Sequence, residues 1–383
     1  MTIFEPNRKN NRLMSYNWQQ EGWPEFQFNP GIVEDIQLKF LLKSGQSSGR
    51  FSGITEAKKD QLLVDILLSE AIKTSEIEGE FLSRVDVMSS LKKNLGIHEE
   101  QPRLVKDLRA KGIAKLMVAV RQTWSEPLSE AMLCSWHEML MEGNRYIQAG
   151  KWRTSPEPMQ VVSGQLGKET VHFEAPPSVQ VPEEMDRFIA WFNSTNPEGE
   201  KAIRNPILRV ALVHLYFESI HPFEDGNGRI GRALAEKALH QGLGQPILIS
   251  LSQVIEAKRQ LYYDQLKKAQ RSLQVDSWLL HFGDVVMKAQ EKVEELIDFS
   301  LQKTKLFDSF GKELNEREVK ALNRMLEEGP DGFEGGINAK KYISITGASK
   351  ATATRDLQHL RDLGILVPEG GGRSVRYQVK LIG

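Results

Sequence analysis

The sequence predicts a mainly α-helical protein with one small β-hairpin flap and a separate C-terminal unit. Three observations carry this. Apolar residues recur at helical spacing from Thr55 through most of the central chain. Only Gln160–Glu174 breaks that rhythm, reading as two short strands about a glycine-containing turn. The glycine-rich loop Gly329-Pro-Asp-Gly-Phe-Glu-Gly-Gly336 then sits inside a new run of elements that begins near Leu314.

The 383 residues suffice for two or three domains. With 40% hydrophobic and 26% charged residues, the composition is that of a water-soluble globular chain. A net charge of −1 argues against a uniformly basic nucleic-acid binder. The single cysteine, Cys134, cannot form an internal disulfide. No apolar run suits a signal core or a membrane span, so a cytoplasmic location without membrane contact is expected.

Taken in order, residues 1 to about 53 read as a polar, aromatic, turn-rich arm, with Trp18, Trp23, Phe26 and Phe28 packing it onto the body. Thr55–Glu78 reads as a helix, with Leu62, Leu63, Ile66, Leu67, Ala71 and Ile72 at helical spacing and Gly79 as its stop. Lys106–Gln122 and Ser129–Glu142 follow as helices, and the stripe Met132, Leu133, Trp136, Met139 and Leu140 marks a core face. The hairpin is either a surface flap or an edge that accepts a further strand. Pro182–Ser194 and Pro206–Ile220 are helical, and the second is apolar nearly all round, the mark of a buried central helix. Leu261–Gln270 forms another helical segment, on which Tyr262 either packs or bounds a base.

Directly after the central helix comes His221-Pro-Phe-Glu-Asp-Gly-Asn-Gly-Arg-Ile-Gly-Arg232. Gly226 and Gly228, around Asn227, allow positive φ and close backbone approach, so successive N–H groups can line an anion-binding hollow. The residues from Arg229 read as a helix, placing that hollow at a helix N-terminus. Arg229 and Arg232, with Ile230 and Gly231 between them, share a face suited to terminal phosphates. Asp225 offers the single carboxylate that Mg2+ takes when phosphates and water complete its shell. His221 suits a general base near neutrality, since the unperturbed pKa of histidine is about 6.5.

This stretch resembles the Fic family signature, His-x-Phe-x-(Asp/Glu)-Gly-Asn-Gly-Arg-x-x-Arg, at every specified position. The resemblance implies an adenylyltransferase that moves AMP from ATP to a Ser, Thr or Tyr hydroxyl of a protein, itself included, with Mg2+ (or Mn2+) as cofactor. It implies that His221 is the base, that Asp225 holds the metal, and that Asn227 orients the α-phosphate. Gly226 and Gly228 would form the nest, with Arg229 and Arg232 on the β- and γ-phosphates. It further implies adenine contacts from Tyr262 and Gln270, nucleotide contacts from the flap backbone at Val162, Ser163 and Gly164, and a target protein docked on the flap. Dimers are common among such proteins, and a homodimer is expected on that ground alone. In this reading residues 1–54 are an N-terminal extension, 55–100 an inhibitory helix region and 101–300 the Fic core.

Thr74-Ser-Glu-Ile-Glu-Gly79 read alone is an acidic helix end. It resembles the Fic inhibitory motif, (Ser/Thr)-x-x-x-Glu-(Gly/Asn), with Thr74, Glu78 and Gly79 on the specified positions. The resemblance implies that Glu78 pairs with Arg232 and displaces the γ-phosphate.

The C-terminal unit, residues 313–383, is ordered as a helix at Leu314–Leu326, a short helix at Ala339–Ile343, and a longer one from the N-cap Ser349 to Leu363. A hairpin of Ile365–Val367 and Val375–Val379 closes it. That order resembles a winged helix-turn-helix domain. From Ile337 to Gly383 eight Lys and Arg face three acidic residues, a local excess of +5 that suits phosphate contacts with DNA or solvated lysines on a protein-contact module. Two other readings stay open: removal of AMP by the same site, and a DNA-binding regulator with a sensory Fic core. A kinase is disfavoured, because Fic-related kinases carry Lys where this chain has Gly228.

Overall fold

The computed structural model describes residues 15–98, 103–163, 170–330, 332–370 and 375–381. Among these the chain divides into two compact units. The first comprises residues up to Gln46 and Leu63–Gln290, and the second comprises Ser47–Leu62 and the chain from Glu291 on. The elements are α1 (Glu34–Ser52), α2 (Glu56–Ile77), α3 (Arg84–Leu95), α4 (Leu108–Gln122), α5 (Glu130–Leu140), the hairpin β1 (Gln160–Ser163) and β2 (Thr170–Glu174), and α6 (Val181–Ser194). Then follow α7 (Pro206–Ile220), α8 (Asn227–Leu243), α9 (Leu251–Ala257), α10 (Arg259–Ala269), α11 (Asp276–Phe310), α12 (Glu316–Leu326), α13 (Ala339–Thr346), α14 (Lys350–Asp362), β3 (Leu366–Glu369) and β4 (Arg376–Val379). The mainly α fold class holds. No helix among the described residues is long and apolar enough to cross a membrane.

In the first unit α7 is the spine. Asn205 caps it by accepting from the N–H groups of Ile207 and Leu208, Pro206 fits its first turn, and every residue from Pro206 to Ile220 is buried. One apolar core gathers Leu67, Leu68 and Ala71 of α2, Val87 of α3, Trp136 of α5, Phe188 of α6, Phe217 of α7 and Ile230 of α8. A second gathers Leu208, Ala211 and Leu215 of α7, Leu239 of α8, Tyr262 of α10, and Trp278 and Phe282 of α11. Both cores draw on α7 and α8, so that pair is fixed from two sides. Each fully buried large apolar side chain contributes about 1.5–3 kcal/mol, which makes this pair a stiff platform for whatever its linking loop carries.

Two expectations need correction. Residues 34–52 are helical, not a turn-rich arm. Glycine in a helix costs only about 1 kcal/mol, and the fully buried Val33 and Phe40 outweigh Gly45 and Gly49. The aromatic part of the arm does pack as expected: the Trp23 ring meets Tyr216 edge-on at 5.1 Å, and its Nε1–H donates to Glu184. Helix α3 is the second omission. Ser83 caps it through the N–H of Asp86, and Gly96 closes it at φ 72°.

The hairpin pairs Gln160 with Glu174 and Ser163 with Thr170, with a register shift between Val161 and Val162. Phe173 is buried, whereas the facing residues Val162 and Val171 are both exposed. In the second unit α12, α13 and α14 enclose Leu322, Tyr342, Leu357 and Leu360, and β3 pairs antiparallel with β4. Asp356 ties this unit together, accepting from Arg317 at 2.9 Å and from the Tyr342 hydroxyl at 2.9 Å.

Candidate functional site

The loop between α7 and α8 is clamped at every residue that carries chemistry. His221 closes α7 at φ 53° and ψ 60°, and among the described residues no other non-glycine has a positive φ. Such backbone costs about 1–3 kcal/mol and persists only where the surroundings over-determine it. Here the N–H of His221 donates to Phe217 O at 3.0 Å, and its carbonyl accepts from Arg153 Nε at 2.8 Å. Arg153 is buried and also meets the chain at Pro222, whose carbonyl accepts the Arg153 N–H at 2.9 Å. Burial, and then the charge of Arg153, hold the His221 pKa down at about 4. The imidazole is therefore neutral at physiological pH and able to accept a proton.

Farther along, Asn227 closes the loop on itself. Its Oδ1 accepts from the Phe223 N–H at 2.9 Å, and its Nδ2 donates to the Phe223 carbonyl at 2.8 Å. His137 of α5 braces the same loop from below, stacked on Phe223 with ring centroids 4.0 Å apart. Its Nδ1 accepts from the Gly150 N–H at 2.9 Å, which leaves Nε2–H to donate to the Asp225 carbonyl at 3.2 Å. Gly226 adopts φ 80°, and a Cβ there would lie 2.6 Å from Met141 Cε. Only glycine fits both the angle and the space.

Asp225 stands at the rim, its side chain half exposed. Oδ1 accepts the Gly226 N–H at 2.6 Å, and Oδ2 lies 3.6 Å from Arg229. Among the described residues no three His, Cys, Asp or Glu side chains gather as a metal site. One reachable carboxylate beside an anion-binding helix end fits a hard cation that takes most of its oxygens from phosphates and water, as Mg2+ does.

The first two turns of α8 present its two arginines to the end of α2. Arg232 is buried, donating from Nε to Thr74 Oγ1 at 2.7 Å and from Nη2 to Thr74 O at 3.0 Å and to Glu78 Oε1 at 2.7 Å. Burial opposes its charge, but Glu78 beside it raises its pKa above the ordinary arginine value. Gly228 makes this possible, since a Cβ there would lie 2.3 Å from Glu78 Oε1. Gly79 turns the chain at φ 80°, and the next residue, Glu80, accepts from Arg229 Nη1 at 2.7 Å. The α2 end thus places one carboxylate on each arginine.

Thr74, Glu78, Gly79, His221 and Asp225–Arg232 therefore converge. Ile230 turns into the first core, and Gly231 packs under Glu218. Tyr262 is buried, its hydroxyl 2.7 Å from His214 Nε2. Gln270 is buried too, and its amide donates to the Glu218 carbonyl at 3.0 Å. Val162 and Ser163 lie on the flap strand β1, and Gly164 falls outside the described residues. In the second unit Lys340, Lys350 and Arg355 are exposed, while Arg373 falls outside the described residues.

Sequence reasoning missed Arg153, His137, Glu80 and Glu218. Only Glu80 had a readable signal: an acidic residue two places past Glu78, in a chain with two arginines to satisfy.

Comparison with known proteins locates the site in a family. Residues 127–239 match the Fic/DOC family, and residues 16–97 match a domain of unknown function, DUF4172. The chain is 26% identical over 219 residues to a probable protein adenylyltransferase of Aquifex aeolicus, covering 54% of this chain and 59% of that one. It is 33% identical over 85 residues to a protein adenylyltransferase Fic of Culex quinquefasciatus, covering 22% and 15%. The chain therefore spans about three-fifths of the first relative and a small part of the second. A crystal structure of a Fic family protein from Desulfovibrio desulfuricans shares the fold at a TM-score of 0.53 and 19% identity, covering 94% of this chain and 99% of that one.

Proposed function

We propose, on the premise that residues 127–239 match the Fic/DOC family, that the chain is a protein adenylyltransferase held shut by its own α2 end. The observation that carries the reading is the pairing of a neutral, clamped His221 with an arginine-bearing helix N-terminus on one rigid helix pair.

The hydroxyl oxygen of a target side chain attacks the α-phosphorus of ATP. As that bond forms, the bond from the α-phosphorus to the oxygen bridging to the β-phosphate breaks, and pyrophosphate leaves. The hydroxyl proton passes to His221, whose depressed pKa keeps it neutral and ready. Negative charge on the phosphate oxygens meets the N–H groups opening α8 and the guanidinium groups of Arg229 and Arg232. Mg2+, held by Asp225, would neutralise phosphate charge at the same end of the site. Arg153 and His137 do not touch substrate in this reading; they fix the loop that does.

In the latched form both arginines are committed. Glu78 holds Arg232 and Glu80 holds Arg229, so a triphosphate tail must displace two carboxylates to bind productively. The flap supports docking of the target, because it offers strand edges and the exposed pair Val162 and Val171. Incubating the Glu78→Gly chain with ATP labelled at the α- or the γ-phosphate tests the reaction type. Label retained on protein from the α-position alone supports adenylyl transfer. Label from the γ-position would mean phosphoryl transfer.

A further inference from the structure

Two buried polar atoms without partners lie beside the base, on Glu218 and on His221 itself. Glu218 stands one helical turn before His221 on α7, with its side chain 6% exposed. Its Oε1 has no hydrogen-bond partner, and its Oε2 lies 3.7 Å from His221 Nδ1, which is also enclosed without one. Gly231 makes room for this carboxyl, since a Cβ there would fall 2.3 Å from Glu218 Oε1. Buried groups of this kind normally find partners, and two orphan atoms on neighbouring side chains at a reacting group need a reason.

Neutral imidazole carries one hydrogen, so the partner of Nδ1 decides whether Nε2 keeps its lone pair. The His221 side chain is 14% exposed while Nδ1 is enclosed, so the open part of the ring is not its Nδ1 corner. We propose that Glu218 is a positioning residue whose carboxylate accepts the Nδ1–H of His221 and so holds the lone pair on Nε2 for the incoming hydroxyl proton. This rests on the adenylyl-transfer reading, in which His221 is the base. The arrangement parallels the buried carboxylate behind the histidine of hydrolase triads.

A protonated Glu218 would act in the opposite sense, donating to Nδ1 and leaving the hydrogen on Nε2. The working state is reached when the pair loses one proton. Burial pushes the Glu218 carboxyl up to about 8, with Arg232 drawing it down and Glu78 pushing it further up. The other groups around the pair are Arg153 and Asp225 from loops, His214 on α7, and Tyr262 and Tyr263 on α10. Burial keeps His214 neutral and both tyrosines protonated through this range. The Glu218 main-chain carbonyl also faces the ring and accepts the Gln270 amide. Its second lone pair makes it an alternative acceptor for Nδ1–H, but it does not titrate and is unchanged in Glu218→Gln, so the comparison below separates the two.

The test uses the full chain carrying Glu78→Gly, with and without Glu218→Gln or Glu218→Asp. Transfer kinetics from about pH 5 to 9 should show kcat of the parent rising as the pair ionises, with a midpoint below about 8 because Glu78, which pushes the Glu218 carboxyl up, is absent from this chain. Glu218→Gln should lower kcat about 100-fold, leave KM for ATP within about twofold, and flatten the profile, because an amide does not titrate. Glu218→Asp should keep the rising limb. Imidazole nitrogen shifts of His221 supply a readout independent of activity: the parent should move from the Nε2–H to the Nδ1–H tautomer through the same range, and Glu218→Gln should not. Retention of kcat and the rising limb in Glu218→Gln would overturn the assignment, as would a tautomer change unaltered by it. Absence of transfer in every variant would count against the adenylyl-transfer reading, while the tautomer measurement would still decide the role of Glu218.

Discussion

Arg229 donates to Glu80 at 2.7 Å across a turn whose preceding carboxylate, Glu78, accepts from Arg232 at the same distance. Two residues of one segment thus occupy both cations of the candidate phosphate site, and each can be removed separately. Glu80→Gln in the Glu78→Gly background should tighten ATP binding by about three- to tenfold, the range of a charge-assisted contact on a partly exposed carboxylate. AMP, which lacks the β- and γ-phosphates, should bind unchanged. Calorimetric titration of both nucleotides checks this, and equal tightening for AMP would point to general loosening of the site.

His221→Ala should bind ATP with near-normal affinity and lose transfer by about two to four orders of magnitude, the usual effect of removing a general base. In the proposed reading, binding rests on the α8 N-terminus and the arginines, not on the imidazole. Transfer within tenfold of the parent chain would remove His221 from the role of base.

Gly226→Ala should destabilise the chain by about 2 kcal/mol or more, because it combines a left-handed angle with a Cβ placed 2.6 Å from Met141 Cε. The expected result is a lower thermal midpoint, with hydrogen exchange quickening first in the amides around Gly226–Ile230.

The second unit exposes Lys350 and Arg355 on α14. If this unit contacts duplex DNA, the full chain should bind in low salt and lose affinity steeply as salt rises. Lys350→Ala with Arg355→Ala should flatten that salt dependence. A folded chain that shows no binding at low salt would assign the unit to protein contacts.

How much of this was legible beforehand depended on whether a feature is local. The run from His221 to Arg232 could be read because base, carboxylate, turn glycines and arginines are contiguous, and α7 announced itself by being apolar on every face. Glu78 could be read because its motif is short but sits in a chain with the arginine it needs. Arg153 and His137 could not, since each acts through a backbone carbonyl about 70 to 90 residues away, which no spacing reveals. Helix α1 was hidden by its glycines and serines, and only the burial of Val33 and Phe40 justifies it. The bonds of Tyr262 to His214 and of Gln270 to the Glu218 carbonyl carry no sequence signal, because they exist only once α10 and the residue that caps it pack against α7.

The central claim is that Glu78 competes with phosphate for Arg232 at a site that transfers AMP. A time course of α-labelled ATP with the parent chain, Glu78→Gly, Arg232→Ala and the double variant tests it directly. Loss of one charge-assisted contact should speed labelling by Glu78→Gly by about one to two orders of magnitude over the parent. The double variant should be as slow as Arg232→Ala, because the contested cation is gone. Equal rates for the parent and Glu78→Gly across a range of ATP concentrations, or a double variant as fast as Glu78→Gly, would contradict the claim.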